Sequence, residues 1–494
     1  MDFLLVFILA LLTFISRIFN LLKVPIFTDE AIYIRWAQIG LADPAHRYIS
    51  LTDGKQPLFT WLMYPFLMIF NDPLYAGRFV SVASAVLAVI GIYLVSKTLF
   101  NRTTAVLAGL LYLICPFVVV YDRLALMDSL LAAFAVWSLY LEILLIKYLR
   151  LDVALILGLT IGFGLLTKSS ALFYILLLPA SWLIFDRKGK SKLSVIIKWL
   201  GFSFLSILIA QIMYNSLRLS PYFYIIEQKN YSFIMPVSAF LSQPFKYFLP
   251  NLYGLTSFLV EYLTIPVIVL IIISLVFAVI GKKRRIFFLF LWFIFPFLTL
   301  AAFGIVLFPR FILFMTLPLL IIAANLLADL YYFLRVRFKS LYLILGLILI
   351  YPFYVSWMLI FNPVRAAIPK IDRNQLFDDW PSGYGVREVI DYLDNQARNK
   401  TIVIGTEGTF GLNPAVYEIY LKQNKNIIIK GYWPVGEVPR ELLDYARNYP
   451  TYLVFKEKQV IPSDWPLKLI AKYKRGLGNT FLYFYQVVPE NGSI

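Results

Sequence analysis

One cysteine and one histidine among 494 residues remove two classes of chemistry at the outset. A lone Cys115 cannot form an intrachain disulfide, and inside an apolar run it reads as a small hydrophobe. A lone His46 cannot build a multi-histidine metal cage and reads as a surface residue. Charge is scarce as well: Asp, Glu, Lys and Arg supply 15% of the chain, where soluble domains carry about 25%. Together with 61% hydrophobic and 17% aromatic residues, this excludes an ordinary soluble enzyme. The N-terminus lacks a basic n-region and a small-residue cleavage site, so its apolar run reads as a retained first span. No internal repeat or low-complexity tract is visible, which argues against an inverted-repeat transporter.

What is present is a series of membrane-length apolar runs. A span needs about 20 mostly apolar residues, roughly 17–25 with tilt. That rule predicts eleven, at about 2–22, 79–100, 103–121, 125–147, 151–167, 171–185, 195–214, 262–280, 286–307, 311–334 and 341–361. The net charge of +17 needs no nucleic acid, because Lys and Arg come in short clusters between these runs. Those clusters are Lys97 and Arg102; Lys147 and Arg150; Arg187, Lys188, Lys190 and Lys192; Lys282, Lys283, Arg284 and Arg285; Arg335, Arg337 and Lys339. All fall on one side if the N-terminus is cytoplasmic, as the positive-inside rule demands. The expectation is a multi-pass plasma-membrane protein whose C-terminus lies outside.

Two outer loops, 23–78 and 215–261, are too apolar for solvated linkers, and the first is expected to form short helices in the interface plane. Residues 1–361 are then the membrane domain and 362–494 an extracytoplasmic α/β domain. In the latter, Val386–Arg398 and Pro414–Leu421 read as helices, and Thr401–Gly405, Asn426–Gly431, Tyr452–Phe455 and Phe481–Val488 as strands.

An acidic pair, Asp29-Glu30, follows the first span. Carboxylates are costly near hydrocarbon, so a pair at a membrane boundary is a candidate working site. Lys55, Arg78, Arg123, Asp128, Lys168 and Arg310 fall at the same outer ends of spans. Both signs of charge on one face suit group transfer from an anionic lipid carrier, with cations stabilising the leaving phosphate and a carboxylate taking a proton from an acceptor hydroxyl. A transporter or flippase for a lipid-linked substrate should instead place charges near the bilayer midplane. A glycan polymerase or ligase of another membrane fold shares the carrier chemistry but leaves the acidic pair unexplained.

At these residues the chain resembles the GT-C glycosyltransferases, in the branch of protein O-mannosyltransferases and aminoarabinose transferases. The resemblance rests on Asp29-Glu30, Lys55-Gln56-Pro57-Leu58, Ala76-Gly77-Arg78, Arg123 to Asp128, Leu166-Thr167-Lys168, Pro309-Arg310-Phe311 and Leu317-Pro318, in that order over about residues 1–320. It implies a GT-C membrane fold and a mannosyltransferase-like enzyme moving a hexose or pentose, with inversion. The donor would be a polyprenyl-phosphate sugar and the acceptor a lipid, glycan or protein outside. It further implies Asp29 as general base, and Glu30 and Asp128 as supporting carboxylates that orient the acceptor or a metal. Lys55, Lys168 and Arg310 would contact the carrier phosphate, with Arg123 and Arg78 as further cations. Relatives often carry an acidic residue where this chain has Gly54, so no metal is expected there, although a divalent ion elsewhere stays open.

Each residue also has a plain structural reading. Asp29 could be a helix N-cap, Asp128 could pair with Arg123, and Lys55, Arg78 and Lys168 could snorkel to headgroups. Arg310 could simply end a span. The Thr406-Glu407-Gly408-Thr409 turn could line a pocket or be an ordinary β-to-α turn.

Overall fold

A computed structural model describes residues 2–185, 192–244, 246–337 and 342–489. Of the basic clusters, Arg187, Lys188, Lys190 and Lys339 lie outside these, as do 490–494 of the C-terminal domain. The described residues form two compact units. The first comprises Met1–Leu21, Ala45–Leu62 and Arg78–Pro369, and the second Leu22–Pro44, Met63–Gly77 and Lys370–Ile494.

Every apolar run becomes helical, because within hydrocarbon a backbone must satisfy its own N–H and C=O groups. In chain order the elements are α1 (Asp2–Ile18), α2 (Thr28–Ala42), α3 (Leu58–Ile69), α4 (Pro73–Leu99), α5 (Arg102–Ile114), α6 (Pro116–Tyr121), α7 (Met127–Tyr148), α8 (Leu151–Thr167), α9 (Leu172–Leu177) and α10 (Lys192–Asn215). There follow α11 (Ile225–Tyr231), α12 (Val237–Ser242), α13 (Phe248–Leu263), α14 (Ile265–Ile280), α15 (Arg284–Phe303), α16 (Leu313–Arg337) and α17 (Tyr342–Phe361).

Among the described residues, five helices are long and apolar enough to cross a membrane, or six if α13 and α14, bent by 110°, count as one span. The other runs are shorter or broken, for local reasons. The run at 103–121 splits at Cys115 because Pro116 cannot continue a helix and pushes its predecessor to extended backbone. The run at 171–185 is a six-residue α-helix between two 3₁₀ stretches, with Pro179 in the second. The α13–α14 bend lies at Thr264, which has φ 70°, ahead of Pro266.

The second unit is built on a sheet. The strands are β1 (Ile402–Glu407), β2 (Ile427–Tyr432), β3 (Thr451–Phe455), β4 (Leu467–Lys474) and β5 (Phe481–Val487), in the order β2-β1-β3-β5-β4. The first three are mutually parallel, and β5 runs antiparallel to β3 and β4. The helices here are α18 (Lys370–Arg373), α19 (Val386–Ala397), α20 (Leu412–Leu421) and α21 (Arg440–Asn448). Leu442 of α21 packs with Val403, Leu453, Phe455 and Val487 on one face. Tyr392 of α19 meets Tyr452 and Phe484 on the other face, where α20 lies beside α19. Helices therefore cover both faces, as a parallel sheet requires.

Sequence reading placed α2 in an interfacial loop of the membrane domain. The structure gives it to the sheet unit, where it packs along α20. The Arg35 guanidinium meets Glu418 at 2.6 Å, the Gln38 amide donates to the Ile419 carbonyl at 3.0 Å, and Trp36 faces Phe410.

Candidate active site

In the first unit, four of the sequence candidates come together. Lys168 follows the last residue of α8 in extended conformation, and its Nζ lies 2.7 Å from Oδ1 of Asp128, the second residue of α7. The same ammonium stands 4.7 Å from the centre of the Phe311 ring. Lys55 Nζ stands 5.1 Å from the Phe233 ring, and the Arg310 guanidinium 4.9 Å from Phe308. Phe311 itself touches both Phe233 and Phe308, with centroids 5.8 and 5.7 Å away. Three cations are thus mounted around one continuous aromatic patch. A ring face attracts a cation through its quadrupole without neutralising it, at about 0.5–1 kcal/mol for an exposed contact.

Lys55 owes its placement to Gly54. Gly54 has φ +66°, and a Cβ there would lie 2.5 Å from Lys229 Cβ and 2.8 Å from the Ile225 carbonyl oxygen. Any side chain at position 54 would press against α11. Asp53, one residue earlier, pairs with Lys229 at 2.5 Å. Gln56 donates to Ser169 Oγ at 2.7 Å and ties the Lys55 segment to the residue after Lys168.

The remaining two cations are built into the scaffold. Arg123 is 3% exposed, and its guanidinium donates to the carbonyls of Ser16, Arg17, Phe19 and Asn20, closing the C-terminal end of α1. Arg78 is fully buried and donates to the Leu21 carbonyl at 2.7 Å. Asp128 pairs with Lys168 rather than with Arg123, the partner weighed from sequence.

Sequence reasoning passed over two buried acids in this unit. Asp122 holds Arg17 at 3.1 Å and accepts from Tyr112 and Ser129. Glu142, inside α7, accepts from the Ser181 backbone N–H and the Trp292 indole, both at 3.1 Å. An Asp or Glu inside an apolar run was the available signal.

The acidic pair lies in the second unit, at the start of α2. Asp29 is not the N-cap; that position is Phe27, with extended backbone. Glu30 takes the capping role, its carboxylate accepting from the Phe27 backbone N–H at 2.9 Å in a fully buried position. The helix start is clamped by residues 381–383. The Thr28 amide and hydroxyl both donate to the Pro381 carbonyl at 3.1 and 2.9 Å, Phe27 bridges Ser382, and the Gly383 amide donates to the Ile26 carbonyl. Asp29, partly exposed, is one residue from this clamp. Among the described residues no three Asp, Glu, His or Cys side chains form a group that could hold a metal ion. His46 is exposed.

Residues 54–214 match the family model described as dolichyl-phosphate-mannose-protein mannosyltransferase. No curated protein sequence matches the chain. Among solved structures it is similar to ArnT from Cupriavidus metallidurans bound to undecaprenyl phosphate, at TM-score 0.61 and 13% identity over 99% of this chain and 98% of that one. The apo form of the same protein gives TM-score 0.59 at 15% identity, with the same coverage. The archaeal oligosaccharyltransferase AglB from Archaeoglobus fulgidus, in complex with an inhibitory peptide and a dolichol-phosphate, gives 0.52 at 13% identity, over 91% of this chain and 69% of that one. The chain shares the fold of these structures, helical with a small C-terminal sheet domain, while the eleven spans expected from sequence are not all matched by helices of membrane length.

Proposed function

We propose that this chain is an integral-membrane glycosyltransferase that moves a sugar from a polyprenyl phosphate to an acceptor on the outer face, with inversion. The observation that carries the reading is the set Lys55, Lys168 and Arg310 around Phe233, Phe308 and Phe311. Such a set suits a phosphate attached to a long apolar chain, since the rings meet the isoprene and the cations meet the charge. It is supported by the carriers named for the fold relatives, undecaprenyl phosphate and dolichol-phosphate, and by the family description over 54–214.

In the reaction the bond from the sugar's anomeric carbon to the phosphate oxygen breaks, and a bond to the acceptor hydroxyl oxygen forms. The electron pair leaves on the phosphate, where Lys55, Lys168 and Arg310 compensate its charge, so the leaving group needs no proton. Asp29 takes the proton of the acceptor hydroxyl as general base. Asp128 holds Lys168 in place and Glu30 fixes the start of α2, so both are positioning residues.

Purified protein incubated with a panel of polyprenyl-phosphate sugars, with free polyprenyl phosphate as the readout, tests the reading. Release above the protein-free rate for at least one sugar is expected. No release across the panel, by protein that still shows a cooperative thermal transition, would remove it.

A further inference from the structure

In the first unit a cavity of about 340 Å³ lies where α4 ends, α15 begins and α16 nears its C-terminus. Its volume falls inside the roughly 300–1,000 Å³ range of ligand sites. All three helices are long and apolar enough to cross a membrane. The cavity is lined by Phe100, which follows α4, by Lys283, Arg284 and Arg285 at the start of α15, and by Asn325 and Asp329, one turn apart on α16. The proposed transfer chemistry uses none of these residues.

Three cations and one acid line this space, so positive charge is in surplus. Lys283 Nζ stands 3.4 Å from Oδ2 of Asp329, and the Asn325 amide donates to the same oxygen at 3.5 Å, so the acid is already shared. Arg285 donates through Nη1 to the carbonyl of Leu99, the last residue of α4, at 2.6 Å, which holds its guanidinium against the end of that helix. Among the described residues its Nε and Nη2, and the whole Arg284 guanidinium, have no acceptor. Other basic clusters are met by acids: Asp2 pairs with both Lys97 and Arg102, and Asp152 with Arg150. Orientation in a membrane needs only positive charge in a loop. A cavity with arginine donors held at its wall adds a geometry for recognition.

We infer that this cavity binds the phosphate of an anionic phospholipid headgroup. Arginine presents a fork that matches phosphate oxygens in charge-assisted contacts, and basic pockets between membrane helices suit anionic headgroups. A soluble phosphate ester would offer the same charge. The lipid is favoured because a helix of membrane length places its ends at headgroup level, and because Phe100 supplies an apolar wall beside the cations. With the orientation expected from the basic clusters, the lipid belongs to the cytoplasmic leaflet. This binding is independent of the transfer reading.

Full-length protein in nanodiscs made from equal amounts of phosphatidylglycerol and phosphatidylcholine, released and read by native mass spectrometry for the lipid it retains, tests the inference. Phosphatidylglycerol should be retained about tenfold or more over phosphatidylcholine. Arg284→Gln should cut that preference about fivefold, and Asp329→Asn should raise it by a similar factor. The double variant Lys147→Gln with Arg150→Gln, a larger loss of charge at another basic cluster, should leave it unchanged. Equal retention of the two lipids overturns the inference, as does an unchanged preference in Arg284→Gln. An equal loss in the Lys147 and Arg150 double variant also overturns it, by reducing the effect to general surface charge. If Arg284→Gln does not fold, Asp329→Asn decides, and an unchanged preference there overturns the inference. Glycerol 1-phosphate added in excess should not displace the retained lipid; displacement would make this a site for a soluble phosphate and overturn the lipid assignment.

Discussion

Lys168 and Asp128 form an ion pair at 2.7 Å that joins the end of α8 to the start of α7, with the Asp128 side chain only 4% exposed. Removing one partner of such a pair leaves the other charge uncompensated, at about 3–5 kcal/mol, whereas an apolar pair of similar volume is often neutral. Lys168→Ala should therefore lower stability and carrier binding together. The double variant Lys168→Met with Asp128→Leu should recover stability without recovering binding. Thermal unfolding and polyprenyl phosphate binding, measured on both proteins, check this. Recovery of both would make Lys168 purely structural.

Adjacent carboxylates should show opposite phenotypes. Asp29→Asn keeps shape and leaves the helix start intact, because Phe27 is the N-cap and Glu30 makes the capping contact. It should reduce sugar transfer by about 10²–10⁴-fold with little change in stability. Glu30→Ala should cost about 0.5–2 kcal/mol through loss of the contact to the Phe27 amide. Transfer rate beside thermal midpoint separates the two, and near-normal transfer in Asp29→Asn would exclude it as the base.

Cations around the aromatic patch should differ from those in the scaffold. Lys55→Ala and Arg310→Ala should each weaken carrier binding by about 1.5–3 kcal/mol, the value of a charge-assisted contact. That is roughly 10- to 150-fold. Arg123→Ala should act on stability instead, since four carbonyls at the end of α1 lose their donor. Binding isotherms for folded Arg123→Ala protein that match the parent would bear out the division.

The basic clusters carry an expected orientation that labelling can test. Cysteines placed singly at Ser242 and Gln423, both exposed, should react with an impermeant maleimide in intact cells. One at Arg284 should react only after permeabilisation. The native Cys115 is buried and gives a low background. Labelling at Arg284 alone in intact cells would reverse the topology and remove Asp29 from the outer face.

Much of the fold was legible in the chain because span-forming runs announce themselves by length. The run at 151–167 appears as α8 with the same bounds. In the C-terminal sheet the predicted strand at 452–455 appears as Thr451–Phe455. Among the elements that went unread there are a helix and an edge strand. The helix Arg440–Asn448 carries a single fully buried position, Leu442, too little apolar periodicity to stand out. The edge strand Leu467–Lys474 mixes lysines with apolar residues, as exposed edges do.

The sequence alone determined where the apolar runs lie and which residue types are available to the chemistry. Apolar length is written in consecutive residues, and an Asp or Lys beside such a run is visible without coordinates. Only the tertiary structure decided which charges share a partner. Lys168 and Asp128 are 40 positions apart, and Arg123 and the α1 carbonyls more than 100, and no local pattern selects one pairing over another. The same holds for α2, which sequence assigned to a membrane-face loop and which is held by Arg35 to Glu418 and by Thr28 to Pro381. Contacts between residues more than 350 positions apart depend on how helices pack, and packing complementarity is a property of surfaces that exist only once the chain has folded.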